Sequence, residues 1–225
     1  MNKCAIFDLD GTLLNTINTI EYHANNTLRH FGLPEISVDR YKILVGNGAR
    51  ILVERMLKEY DNYNPDTFEE IYNYYTAAYD ADVKIHTEIY PGIENMLKQL
   101  KEQGFKLAVL SNKPNDAVQE TVKLYFGDIF DSVYGAFEDL PKKPDTTILK
   151  RLMKELDCDK KSSIYVGDTG VDMKTGKGGG LFTIGVLWGF RSKEELMENN
   201  ADLIVSSTEE ILKFVNERKK YEDLT

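Results

Sequence analysis

Short apolar runs alternate with helical stripes along most of this chain. Lys3–Phe7, Lys106–Leu110, Ser132–Tyr134, Ser163–Val166, Phe182–Leu187 and Ala201–Val205 are brief β-biased segments with little internal alternation. Runs of that length and character predict strands covered on both faces, as in a parallel sheet. Between them lie helical patterns: Ile93, Met96, Leu97 and Leu100 share one face and stop at Gly104, and Ile148, Leu149, Leu152, Met153 and Leu156 repeat the arrangement. The stretch 16–86 is different. It holds no convincing strand but several stripes, first Ile17, Ile20, Ala24, Leu28 and Phe31, later Phe68, Ile71, Tyr72, Tyr75 and Tyr79, with helices expected after Ser37 and from Gly48. Pro34 and the Asp61–Pro65 segment punctuate it. The pattern predicts an α/β fold: a doubly wound parallel-sheet, Rossmann-like core (1–15 and 87–225) with a small all-helical cap (16–86) inserted after the first strand.

Composition narrows the classes of function. At 225 residues the chain can fill such a core and a small companion. A net charge of −9 argues against a nucleic-acid backbone or an anionic membrane as partner. No apolar run reaches membrane-spanning length, and strand-like sequence begins at Lys3 without room for a signal peptide, which predicts a cytoplasmic protein; the sequence leaves monomer and homodimer both open. Cys4 and Cys158 make neither a disulfide framework nor a metal cluster and are expected to be inert; His23, His30 and His86 are expected to be structural. Eight of the thirteen tyrosines fall in 16–86, where they read first as filling for a small bundle and second as an aromatic substrate wall.

Chemistry concentrates at strand ends, where open α/β sheets bind ligands. Asp8 and Asp10 follow the first strand, Ser111 and Asn112 the second, and Lys143 lies in the loop after the third; Asp168 and Asp172 follow the fourth. Four aspartates converging on one crevice repel, and their oxygen donors suit Mg²⁺ better than a transition metal. Mg²⁺ with Lys143 would offset most of the charge, and backbone N–H groups with the Ser111 hydroxyl would serve as donors to an incoming phosphate.

These residues resemble a known family. Asp8-Leu9-Asp10-Gly11-Thr12-Leu13, Ser111-Asn112-Lys113, Lys143-Pro144 and Gly167-Asp168-Thr169-Gly170-Val171-Asp172 look like the four ordered motifs of the haloacid dehalogenase-like hydrolases. Gly46-Asn47-Gly48-Ala49-Arg50, Val53-Glu54-Arg55 and Gly185-Val186-Leu187-Trp188-Gly189 resemble its phosphoglycolate phosphatase branch. The resemblance implies Asp8 as nucleophile and Asp10 as general acid/base. It implies Mg²⁺ held by Asp8, the Asp10 backbone carbonyl and Asp168 with Asp172 in support, and a phosphoryl group bound by Ser111, Asn112 and Lys143. It also implies a small-molecule phosphate ester as substrate, phosphoglycolate first, and the aspartate at position 10 favours phosphoryl transfer over dehalogenation. Asn47 and Arg50 are candidate cap contacts to the substrate, against a plain interhelical turn and a solvated charge. The competing readings are a sugar-phosphate mutase or another phosphatase on the same scaffold, and a non-catalytic phosphate-binding scaffold.

Two further stretches carry no site. Gly176-Lys177-Gly178-Gly179-Gly180 lacks the spacing of a P-loop and predicts a frayed or unusually close-packed helix. Arg218-Lys219-Lys220 reads as a charge complement to a helix C-terminus.

Overall fold

The protein is described by a computed structural model covering residues 1–60 and 64–222, with side chains described through Arg218. The chain starts with β1 (Cys4–Phe7) and β2 (Leu14–Asn15), passes through α1 (Ile17–His30), α2 (Val38–Leu44), α3 (Ala49–Leu57) and α4 (Phe68–Ala81), and returns at β3 (Glu88–Ile89). Helices and strands then alternate as α5 (Ile93–Glu102), β4 (Lys106–Pro114), α6 (Asn115–Phe126), β5 (Ser132–Ala136), α7 (Thr147–Glu155) and β6 (Ile164–Gly167). The last elements are α8 (Gly170–Gly179), β7 (Phe182–Val186), α9 (Lys193–Glu198), β8 (Leu203–Val205) and α10 (Thr208–Glu222). Part of the Asp61–Pro65 break, and the side chains of Lys219 and Lys220, lie outside the described residues.

Six parallel strands pair in the order β5-β4-β1-β6-β7-β8. Strand β1 sits in the middle, and the chain works outward from it in both directions, as a doubly wound sheet requires. Its side chains alternate between faces. Ala5 and Phe7 join one apolar layer with α5, α6 and α10, whereas Cys4 and Ile6 join another with α7. The register fixes the site: Phe7 lies level with Val109 of β4 and Val166 of β6, so Asp8, Ser111 and Asp168 come to one edge of the sheet. Strand β4 runs on to Pro114, however, so Ser111 and Asn112 lie within it, not after it as the sequence predicts, where its pairing with β5 shifts register.

The helices α1–α4 form the inserted cap around their own core, which includes Ala24, Leu28, Tyr41, Val53, Met56, Leu57, Ile71 and Tyr75. The two chain crossings between cap and core are joined by an antiparallel pair of two-residue strands, Leu14 with Ile89 and Asn15 with Glu88. That short ladder ties the crossings together at their root, a feature too brief to leave a periodic signal.

Cys4 and Cys158 are bonded to each other, contrary to the expectation of two inert thiols. Their separation of 154 positions hides the pairing in the sequence. The residues meet because the segment before β6 runs beside the start of β1, with Asn2 bridging to Cys158. Among the described residues no helix is long and apolar enough to cross a membrane.

The glycine-rich stretch resolves into the close-packed alternative. Gly176 lies in α8, where a Cβ would stand 2.5 Å from Thr183 Cγ2 and 2.8 Å from Tyr165 Cβ, both on strands of the sheet. A Cβ at Gly179 would stand 2.6 Å from Leu149 Cδ2 on α7. The absent side chains let α8 settle against the sheet and α7. Helix propensity alone favours alanine at Gly176 by about 1 kcal/mol, but overpacking of a filled interface costs about 1–3 kcal/mol. Gly176→Ala is therefore expected to lower the midpoint of urea unfolding; a raised midpoint would show that α8 has room to move.

Candidate active site

The turn after β1 is wound tightly around Asp168. The Leu13 and Leu14 amides return to the Leu9 carbonyl, and the Gly11 amide donates to the Leu14 carbonyl. Gly11 has φ +85°, and a side chain there would collide with the Asp168 carboxylate, so both backbone freedom and lack of bulk are used. Thr12 donates its hydroxyl to Asp168 Oδ1 at 3.2 Å, and the Phe190 amide donates to Oδ2 at 2.8 Å. Trp188 fastens the same turn through its indole N–H to the Thr12 carbonyl, 3.0 Å away. The Gly185–Gly189 motif thus supports the first motif by contact.

Asp8 is buried at the end of β1, with Oδ1 accepting from the Leu9 amide at 2.8 Å and lying 3.0 Å from Lys143 Nζ. Lys143 is just as enclosed. Its ammonium also donates to Asp172 Oδ1 at 2.8 Å and to the Leu110 carbonyl at 3.0 Å. Asp172 meets a second demand in the same position: with Thr169 it forms the capping box of α8, and its Oδ2 accepts from the Thr169 amide and hydroxyl. Asp172 is thus both the cap of α8 and the anchor of Lys143.

Asp8, Asp168 and Asp172 offer carboxylate oxygens that all lie within 4.8 Å of one another, every one of them buried. Burial pushes the Asp8 carboxyl well above the usual range, the charge of Asp172 pushes further, and Lys143 opposes. Asp168 is pushed up to about 7, chiefly by burial and then by Asp172. Burial works against the charge on Lys143, yet Asp172 and Asp8 outweigh it and hold its pKa well above the lysine range. Three buried carboxylates against one ammonium leave two negative charges uncompensated, the charge of one divalent cation. Hard oxygen donors in that number fit Mg²⁺. Four donors already occupy Asp172: Lys143 and Tyr165 on Oδ1, Thr169 twice on Oδ2. It is better placed to steady its neighbours than to bind an ion directly.

A cavity of about 320 Å³ opens over this cluster, lined at its base by Asp8, Asp10, Ser111, Asn112 and Thr169. The cap side contributes Gly46, Gly48, Ala49 and Leu52, together with Tyr72, Tyr75 and Tyr79. Tyr75 and Tyr79 therefore serve twice, as bundle filling and as cavity wall. Asp10 Oδ1 is buried in this region without a hydrogen-bond partner.

Not every candidate reaches the cavity in the expected way. The Asn112 side chain is taken up by the backbone of Lys143: Oδ1 accepts from its amide at 2.8 Å, and Nδ2 donates to its carbonyl at 3.2 Å. Asn112 therefore orients the lysine. Asn47 accepts from Arg55 at 2.8 Å and faces a separate cleft, although its neighbours Gly46 and Gly48 line the cavity. Arg50 is exposed, paired with Glu69 and laid over Phe68 and Tyr72, away from the cavity lining. The Gly46–Gly48 turn approaches the core through its backbone, the Gly46 carbonyl lying 3.4 Å from Asn112 Nδ2. The Asn47 side chain is taken by Arg55 and α3 turns Arg50 toward Glu69 of α4, so both point elsewhere.

Arg191 was not legible from the sequence. It sits in the core, yet it donates to carbonyls at the end of α2, to Lys42 and, at 2.7 Å, to Val45, while pairing with Glu195 at 3.2 Å. A guanidinium at a helix C-terminus satisfies orphan carbonyls and the helix dipole together. Next to it, Phe190 packs on the cap core.

Comparison with known proteins follows this geometry closely. Residues 5–186 match the haloacid dehalogenase-like hydrolase family. The chain belongs to that family. It is 33% identical to a phosphoglycolate phosphatase of Aquifex aeolicus over 84% of this chain and 86% of that protein. It is 29% identical to phosphoglycolate phosphatase 1 of Pseudomonas aeruginosa, over 93% and 78% of the two chains. A crystal structure of a predicted phosphoglycolate phosphatase from Haemophilus somnus superposes with a TM-score of 0.86 at 27% identity, covering 95% of this chain and 97% of the other. This haloacid dehalogenase-like hydrolase thus stands beside the phosphatases of its family.

Proposed function

We propose that the chain is a Mg²⁺-dependent phosphomonoesterase acting on a small organic phosphate, phosphoglycolate the first candidate, through a phosphorylated Asp8. The observation that carries this reading is the pairing of an anchored, buried Asp8 with a cavity-facing Asp10 whose Oδ1 has no hydrogen-bond partner. Asp8 attacks phosphorus and the bond to the ester oxygen breaks; Asp10 gives that oxygen its proton. Asp10 then takes a proton from water, which attacks the acyl phosphate and releases inorganic phosphate with Asp8 restored. Lys143, 3.0 Å from Asp8, meets the negative charge of the arriving phosphoryl group, and Ser111 on the cavity floor offers its hydroxyl. Asn112 and Asp172 keep Lys143 in position. Asp8, the Asp10 carbonyl and Asp168 would hold the Mg²⁺, which supplies charge neutralisation of the phosphoryl oxygens when bound. We assign the cap to residues 16–86, with closure over the cavity supported by the Arg191 and Phe190 contacts.

The test is phosphate release from a panel of small phosphate esters. Activity is expected to vanish in EDTA and to return with excess Mg²⁺, because an all-oxygen site exchanges its ion freely. Ca²⁺, with its longer and looser coordination, is expected to inhibit. Undiminished turnover in EDTA contradicts the metal assignment.

A further inference from the structure

Lys113 stands immediately after Ser111-Asn112 in β4 and has no part in the chemistry above. Its side chain is only 9% exposed, and it lines the cavity. The ammonium lies 3.0 Å from the Tyr79 hydroxyl and 4.6 Å from the centre of the Tyr79 ring, so a residue of the core is held by α4 of the cap. It stands 3.8 Å from Asp10 Oδ1, too far for a hydrogen bond. Lys143 contrasts with it: that ammonium is spent on two carboxylates and a carbonyl. Tyr79 is the one hydrogen-bond partner of the Lys113 ammonium among the described residues. The nearby Asp80, exposed at the cavity edge, and Asp10 both attract the ammonium without bonding it. A buried cation with donors to spare marks a place for a substrate acceptor, and the unpartnered Asp10 oxygen beside it marks where the leaving oxygen can lie.

The reaction fixes what that group is. If Asp10 protonates the leaving oxygen, that oxygen lies against Asp10. In a phosphorylated 2-hydroxy acid the carboxylate is attached to the same carbon as the ester oxygen, which puts the two oxygens about 3 Å apart. That spacing suits the 3.8 Å between Asp10 and Lys113. We propose that Lys113, steadied by Tyr79, is a specificity-determining residue that binds a substrate carboxylate adjacent to the scissile ester. The substrates are then O-phosphorylated 2-hydroxy acids, including those with an apolar group on the second carbon. The apolar group has a wall to meet in Leu52, Tyr72 and Tyr75. Because Tyr79 belongs to the cap and Lys113 to the core, binding of the carboxylate and cap closure reinforce each other. This inference rests on the phosphatase reading and adds to it the group by which the substrate is chosen.

The test compares phosphoglycolate and phospholactate with ethyl phosphate, which keeps the ester and lacks the carboxylate. The wild-type protein is expected to favour both acids over ethyl phosphate in kcat/KM by on the order of 10²-fold. Lys113→Met should shrink that preference to within about tenfold, mainly through KM, and Lys113→Arg should restore part of it. Tyr79→Phe, which removes only the hydroxyl that holds the ammonium, should shift the preference in the same direction by less. The wild-type comparison needs no variant, so a misfolded Lys113→Met leaves it decisive. Equal kcat/KM for ethyl phosphate and the acids in the wild-type protein, or an equal loss on all three substrates in Lys113→Met, overturns the role of Lys113 while phosphatase activity stands. Release of phosphate from none of the esters overturns the phosphatase reading itself.

Discussion

Asp8→Asn is expected to reduce phosphate release by about 10⁴-fold or more while leaving the fold intact. The amide keeps the shape of the carboxylate and the acceptor for the Leu9 amide, but it removes the attacking charge. Stability should hold or rise, because Asp8 is buried beside Asp168 and Asp172 and its charge is resisted by both burial and repulsion. Lys143 keeps its ion pair with Asp172 at 2.8 Å in the variant. Circular dichroism and thermal unfolding in EDTA, beside steady-state turnover in Mg²⁺, separate the two effects. Near-native turnover from a folded Asp8→Asn protein removes the nucleophile from the mechanism.

Lys143→Met should damage the fold severely. It leaves Asp172 and Asp8 facing each other in the interior without the ammonium that now lies 2.8 Å and 3.0 Å from them. Removing one member of a buried ion pair costs about 3–5 kcal/mol, since the remaining charge is left uncompensated. Activity should disappear as well, but the stability measurement carries the argument. Adding Asp172→Asn to Lys143→Met removes one of the stranded charges and should recover much of the loss, whereas two unrelated defects would add. A Lys143→Met protein as stable as wild type in urea means that the charges are solvated and that Lys143 does not organise the site.

Much of this was legible in the sequence because strand ends are where a parallel sheet presents its ligands. Asp8, Ser111 and Asp168 stand at the carboxyl ends of apolar runs, and the pairing of β4 and β6 with β1 brings those ends to one edge. The helical insertion α1–α4 was legible for a different reason: its sequence carries helical stripes and no convincing strand pattern, which leaves no way to join the sheet. The Cys4–Cys158 bond was hidden because it depends on which chain segments run side by side, and nothing local to either cysteine records that. Asn47 sits in a glycine-flanked turn that does approach the core, and Arg50 in the first turn of α3 beside it. Side-chain direction follows from helix rotation, however, and α3 sends Arg50 to Glu69. Arg191 lies outside every motif, and its contact with the end of α2 exists only in the folded pairing of cap and core. Lys113 was in plain view within the second motif. Its burial against Tyr79 of the cap, which nothing in the neighbouring sequence records, is what sets it apart.

The central claim is that phosphate passes through a covalent bond to Asp8, and trapping that bond tests it most directly. The protein is mixed with a turned-over phosphate ester and Mg²⁺, quenched in acid within one turnover, and treated with borohydride, which reduces an acyl phosphate to an alcohol. Peptide mass spectrometry is expected to find the reduced side chain at position 8 only, with none in protein quenched before substrate is added. Phosphate release at full rate with no modification at position 8, or with modification at another carboxylate, would contradict the account.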